Sequence, residues 1–303
     1  MDSDQINIIP SYQINKEKWD YCIKRSVNDL MYAQSYYLDA LADNWHGIVV
    51  NDYDCVMPVP WRKKLGIRYC YDVPFIQQLG YFSTTDFDNT ILINTLFKFI
   101  RYGYYNFNYS NNATANIPEV RSKTNLILDL FNKEVITDSF TKSFMQSLQH
   151  ASGFGFTYVT AAPVEAIEMY KDLYRNKIKN ITEDNYKNLF LLTQILITQG
   201  KCFARKIINK NGNTISIVLL LKDERRLYNI INATCNEGRN TEANYFLYEQ
   251  LFNEFAGQEL LFDLEGSDLP GVKNFYKKMG AKDQPYFRMH INNLPFPLKL
   301  FKK

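Results

Sequence analysis

Apolar side chains recur at helical spacing along residues 34–43, where Tyr37, Leu38 and Leu41 share one face. The spacing predicts an amphipathic helix there, with Ser35 as its N-cap, and another helix over 16–26. The pattern then shortens. Strands are predicted at 47–50, 55–61, 67–71 and 75–79, with polar turns at 51–54 and 63–66. Pro58 and Pro60 cannot donate to a ladder, so their strand is expected at an edge or a bulge. A helix over 87–102 and a strand over 104–109 complete this series.

The same order returns further along. Residues 201–208 and 214–221 read as strands joined by Asn211-Gly212, a strong hairpin signal. A strand at 227–233 follows, then a helix over 241–256 with Ala243, Leu247, Leu251 and Phe255 on one face. A buried strand is predicted at 260–264, a short helix at 271–279 and a closing strand at 285–292. Between the series lie a strand at 125–130 and helices near 138–150, 164–174 and 183–199. A β-β-β-α-β order thus occurs twice. It implies an α+β chain of two domains, 1–152 and 153–303, each a mixed, mostly antiparallel sheet flanked by helices.

Composition narrows the function classes. Thirty-five basic and 32 acidic residues leave a net charge of +3, too mild and too dispersed to imply nucleic acid by itself. The five cysteines have no C-x-x-C spacing and the three histidines lie far apart, so no metal site or disulfide framework is expected. Residues 1–5 are polar and acidic, unlike a signal peptide, and no apolar run approaches the length of a membrane span. A soluble, cytoplasmic protein without membrane insertion is the expectation.

Candidate chemistry concentrates in residues 260–281. Asp263 and Glu265 close the predicted buried strand, and period-two pleating would set both on one face at its carboxyl end. A carboxylate there can take a proton from an attacking amine. It can equally cap a neighbouring element or pair with an arginine. Gly266 and Ser267 are expected to turn the chain into the next helix, which carries Phe275 and Tyr276. Tyr276 is read either as a proton donor or as a core aromatic.

Phe275-Tyr276-x-x-x-Gly280-Ala281 resembles the F-Y-x-x-x-G-F helix end of the GNAT superfamily, with Ala281 replacing an aromatic. The stretch from Phe262 to Gly271 resembles tandem GNAT proteins related to the Fem-type aminoacyl- and acyltransferases. The resemblance implies a bacterial transferase that takes an acyl group from acetyl- or acyl-coenzyme A to a small-molecule amine. Asp263 or Glu265 would relay the amine proton, and Tyr276 would act as general acid to the leaving thiolate. A Fem-type donor, aminoacyl-tRNA, acting on a cell-wall precursor is the alternative, as is a GNAT-like binding module without turnover.

The resemblance also directs attention to two turns. At 236–243, Gly238, Arg239, Asn240 and Thr241 stand where GNAT enzymes hold the coenzyme pyrophosphate, but the second glycine of that motif is missing and Glu237 is present. The plain reading is a helix start capped by Asn240 or Thr241. In the first half, Gln77-x-x-Gly80-x-Phe82 matches most of the pattern, with Phe82 where a small residue is needed. No F-Y-x-x-x-G follows it, so this half is expected to be a binding or scaffold copy. There Trp61, Arg62, Lys63, Lys64 and Arg68, with Tyr71, Gln77 and Gln78, form either an anionic-substrate contact or a solvated hairpin tip.

Overall fold

The computed structural model describes residues 5–85, 89–178, 180–266 and 268–301. The start of the helix predicted from 87, and Ser267 of the predicted turn, lie outside these. The chain forms two compact units, residues 1–123 with 285–303, and residues 124–284.

In the first unit, β1 (Ile6–Pro10), β2 (Trp45–Val50) and β3 (Cys55–Pro60) pair antiparallel, and the two-residue β6 (Phe82–Ser83) continues the sheet after β4 (Arg62–Lys64) and β5 (Ile67–Cys70). β6 reaches β3 only at Cys55 and Val56. Pro58 and Pro60 therefore sit where β3 is an edge, as their missing donors require. A second sheet sets β4, β5, β7 (Tyr102–Phe107) and β8 (Val120–Lys123) in one layer, with a strand at Tyr286–Asn292 between the last two. The unit's helices are α1 (Lys16–Arg25), α2 (Ser35–Leu41), α3 (Asn89–Phe99) and a short one at Leu298–Phe301. Ser35 does not cap α2; its N–H and hydroxyl both donate to Asp20, and Gln34 is the N-cap.

The second unit holds one seven-stranded sheet. Its strands are β9 (Leu126–Asp129), β10 (Thr157–Thr160), β11 (Cys202–Ile208), β12 (Thr214–Lys222), β13 (Arg226–Thr234), β14 (Leu261–Asp263) and β15 (Lys282–Asp283), in the order β10-β11-β12-β13-β14-β9-β15. Its helices are α4 (Lys133–Asp138), α5 (Lys142–Ser152), α6 (Pro163–Tyr174), α7 (Glu183–Thr198), α8 (Asn236–Asn240), α9 (Ala243–Phe255) and α10 (Pro270–Lys278). β12 is buried along almost its whole length. Ile215, Val218 and Leu220 enter the core beside Leu247, Leu251 and Phe262. Ile215 stands at the register shift opposite Ile207 and Ile208, which breaks the alternation there, and α6 packs against β12 and β13. A strand covered on both faces reads as a continuous apolar run, which is what the sequence shows.

Two further expectations are corrected. The predicted 75–79 strand is a loop with a single bridge at Leu79, because Phe75 adopts φ 64°, which no strand accommodates. The division at residue 152 does not follow the contacts. β9 pairs with β14, and the closing strand β16 (Tyr286–Asn292) pairs with β7 and β8, so the second unit begins at 124 and the chain's end returns to the first. Strand partners are long-range choices that local periodicity does not encode.

Candidate functional site

β13 and β14 run parallel and pair over three residues, Arg226–Tyr228 against Leu261–Asp263. β14 then stops, and the chain turns through Glu265 at φ 46°. β13 continues to Thr234 with β12 on one edge and, among the described residues, no strand on the other. Two helices wall the fork this leaves. α6 starts with Pro163 at its first position, and Glu165 accepts the Ala162 N–H at 2.9 Å. It presents Tyr170 and Tyr174, whose rings lie 5.0 Å apart. α10, also begun by a proline, presents Phe275 and Tyr276. The result is a cleft of about 670 Å³ whose walls include Tyr170, Tyr174, Asn232, Arg239, Phe275 and Tyr276, the size of an ordinary small-molecule site.

Tyr276 is 6% exposed yet lines this cleft. Its hydroxyl oxygen accepts from Asn229 Nδ2 at 3.1 Å and from the Tyr248 hydroxyl at 3.3 Å. Burial pushes its pKa up to about 12, against the pull of these hydrogen bonds and with a further push from the charge of Glu265. It is therefore a neutral phenol at physiological pH, able to give a proton.

The two candidate acids part company. Asp263 is wholly buried and faces Arg226, with Oδ2 and Nη1 2.9 Å apart. Its Oδ1 accepts the Glu265 N–H at 3.2 Å. Arg226 Nη1 also donates to Gln284 at 2.9 Å. This is an internal ion pair with its hydrogen bonds met, not a base open to a substrate. Glu265 is half-buried; burial is the main upward push on the pKa of both Tyr170 and Tyr276, and the charge of Glu265 adds to it. The expected shared face fails because the strand ends at Asp263, and pleating cannot carry past a left-handed residue.

No known family description matches the sequence, and no curated protein does. Solved structures do match. FemX superposes with a TM-score of 0.65 at 13% identity, over 99% of both chains. A tandem GNAT protein from the clavulanic acid biosynthesis pathway gives 0.59 at 9% identity, over 96% of this chain and 100% of the other. L-PGS from Bacillus licheniformis gives 0.54 at 12%, over 95% of each. The chain has the Fem-like tandem GNAT fold.

In that fold the turn at 236–241 was expected to cradle a pyrophosphate. Its residues are otherwise engaged. A Cβ on Gly238 would lie 2.3 Å from the Ile215 carbonyl oxygen, so this glycine serves close packing against β12. Its N–H donates to Cys235 Sγ at 3.5 Å. Arg239 is committed to the Thr234 carbonyl and Asn236 Oδ1, and Thr241 donates to the Glu237 carbonyl. Asn240 is exposed. Neither Asn240 nor Thr241 caps α9; Glu242 at φ 56° is its N-cap, and its carboxylate is bonded to Ser147 and His150. Gly238, Arg239 and Glu242 line the cleft and Asn240 and Thr241 do not, while the N–H groups of Arg239, Thr241 and Glu242 are taken by the Cys235, Glu237 and Arg239 carbonyls. This turn does not fit a pyrophosphate cradle.

The first GNAT unit treats its candidates similarly. Arg62 pairs with Asp43 and lies 3.9 Å over the Tyr71 ring, and Tyr71 accepts the Asp43 N–H at 2.9 Å. Burial pushes the Tyr71 hydroxyl up to about 12. Gln78 is fully buried, donating to Gln77 and accepting from the Tyr109 N–H. Gln77 and Tyr71 line a recess of only about 20 Å³, room for about one water. Lys63 and Arg68 instead border an open recess of about 620 Å³ with Lys98 and Arg101.

Sequence reading missed Asn229, Asn232, Asn244 and Tyr248, which form a polar network beneath the cleft. Asn229 Nδ2 donates to Tyr248 at 2.8 Å, and Asn232 Nδ2 to Asn244 Oδ1 at 3.1 Å. Two asparagines inside the apolar strand of residues 227–233 were a legible anomaly, since buried amides need partners. Nothing local marks Tyr170 or Tyr174. Among the described residues no group of three or more His, Cys, Asp or Glu is placed to hold a metal, and no helix is long and apolar enough to cross a membrane.

Proposed function

We propose that the protein is an acyltransferase that moves an acyl or aminoacyl group from an activated ester or thioester onto an amine. The observation that carries this reading is Tyr276 in the wall of the cleft where β13 and β14 part, with its hydroxyl held by Asn229 and Tyr248. The donor would lie along the edge of β13 beyond its last pair with β14, whose backbone groups can orient its carbonyl. The amine attacks that carbonyl, and Tyr276 gives its proton to the departing sulfur or oxygen. Glu265, whose charge reaches Tyr276, would relay the proton lost by the amine. Holding both partners in the cleft would supply much of the rate.

Two donors fit this chemistry, acyl-coenzyme A and the aminoacyl ester of a tRNA. The engaged turn around Gly238 favours the second, because it offers no grip for a coenzyme pyrophosphate. The test is to incubate the full chain with each donor and a panel of amines, and to identify products by mass spectrometry. An amide product that disappears in Tyr276→Phe is expected. Turnover undiminished by that substitution would remove Tyr276 from the mechanism, and no product from either donor would sink the transferase reading. Saturable stabilisation of the fold by coenzyme A would instead restore the thioester donor.

A further inference from the structure

Asn229 lies on β13 one residue beyond the last pair with β14 and is 5% exposed; Tyr248, on α9, is fully buried. Their polar atoms meet at the Tyr276 hydroxyl. Asn229 Nδ2 donates to Tyr248 at 2.8 Å and to Tyr276 at 3.1 Å, and the Tyr248 hydroxyl donates to Tyr276 at 3.3 Å. A phenol oxygen has two lone pairs and one proton. Both lone pairs of Tyr276 are therefore occupied from within the fold, and its own proton is surplus to the cluster.

We propose that Asn229 and Tyr248 are positioning residues that aim the Tyr276 proton into the cleft and hold the phenolate formed when it leaves. This rests on the acyl-transfer reading for its purpose, though not for its geometry. In the step concerned, the Tyr276 O–H bond breaks as the donor's carbonyl–sulfur or carbonyl–oxygen bond breaks, and the leaving atom takes the proton. The phenolate then recovers a proton from the amine nitrogen, through Glu265 or water, so the cycle ends with a neutral phenol. Because the two donors already face the oxygen, the anion forms without reorganisation of its surroundings. The direction of the bonds agrees, since the contacts from Tyr248 and Asn229 pull the Tyr276 pKa down while burial pushes it up.

The same geometry makes the sign of one measurement decisive. Asn229 Oδ1 is buried without a hydrogen-bond partner. Were the amide turned the other way, that oxygen would accept from the phenols, trap the Tyr276 proton inside and hold it neutral. The experiment is to place 3-fluorotyrosine at position 276 of the full chain and titrate its ¹⁹F signal, alone and with Tyr248→Phe or Asn229→Ala. Tyr248→Phe keeps the ring and so the packing. Loss of either donor should raise the pKa at 276 by about one unit, a tenfold change in proton affinity. An unchanged or lowered pKa in both variants overturns the proposal. In the transferase assay Tyr248→Phe should lower kcat about tenfold with KM little changed, a split that a purely structural role would not give. A raised pKa with unaltered turnover would confine the cluster to stability. The titration needs no substrate, so it stands apart from the transferase assay, in which the absence of product from either donor would defeat the acyl-transfer reading itself.

Discussion

The two units contain the same crossover, a strand, a helix and a parallel strand, yet only one leaves a fork open. In the second unit β13 and β14 part after three pairs, and a cleft of about 670 Å³ follows. In the first, β5 and β7 pair only at Tyr69 with Tyr102 and Cys70 with Gly103. There the chain doubles back through residues 71–80. Leu79 donates to the Asn106 carbonyl at 2.9 Å and bridges Phe107, leaving about 20 Å³. Gly80 at φ 89° makes this return possible, because a Cβ there would sit 1.9 Å from Asn111 Oδ1. A shared topology therefore supplies the opening, and the segment after the first parallel strand decides whether it is filled.

The difference can be broken from either side. Removing Asp263, as in Asp263→Ala, would strand a buried Arg226 beneath the open fork. We expect about 3–5 kcal/mol of lost stability by denaturant unfolding; a loss below 1 kcal/mol would mean the ion pair does not hold the strand end. Tyr276→Phe should leave the fold intact and reduce transfer about 100-fold, equivalent to about 2.7 kcal/mol. Its hydroxyl, raised to about 12, stays protonated as pH rises, so ionisation of this group should not lower the rate between pH 7 and 10. An alkaline fall centred near 9 that vanishes in the phenylalanine variant would contradict that. In the filled fork, Gly80→Ala should cost about 2 kcal/mol through strain at positive φ and collision with Asn111. A neutral result there would show that the return of 71–80 tolerates other paths. Smallest of all, Arg62→Gln should change stability by less than about 1 kcal/mol, because its pairing with Asp43 is partly exposed, and it should leave transfer unaltered.

Much of the fold could be read locally. The hairpin at Asn211-Gly212, the helix carrying Leu247 and Leu251, and the buried strand ending at Asp263 all occur close to where spacing and turn chemistry predict. The Phe275-Tyr276 motif led to the residue that lines the cleft. Other readings depended on contacts that no window contains. Asp263 and Glu265 look equivalent in sequence, and only the termination of β14 and the neighbourhood of Arg226 separate them. Gly238 resembles a phosphate-turn glycine until Ile215 is seen against it.

Periodicity and turn residues act through neighbours a few positions apart, so the chain alone determined most of its elements, their order and the place of Tyr276 on a short helix. Which strands would pair, and hence that residues 286–292 join the first unit's sheet, depended on partners more than 150 residues away. The same holds for the hydroxyl of Tyr276: its identity is local, but its burial, its two donors and its cleft exist only once β13, α9 and α10 converge.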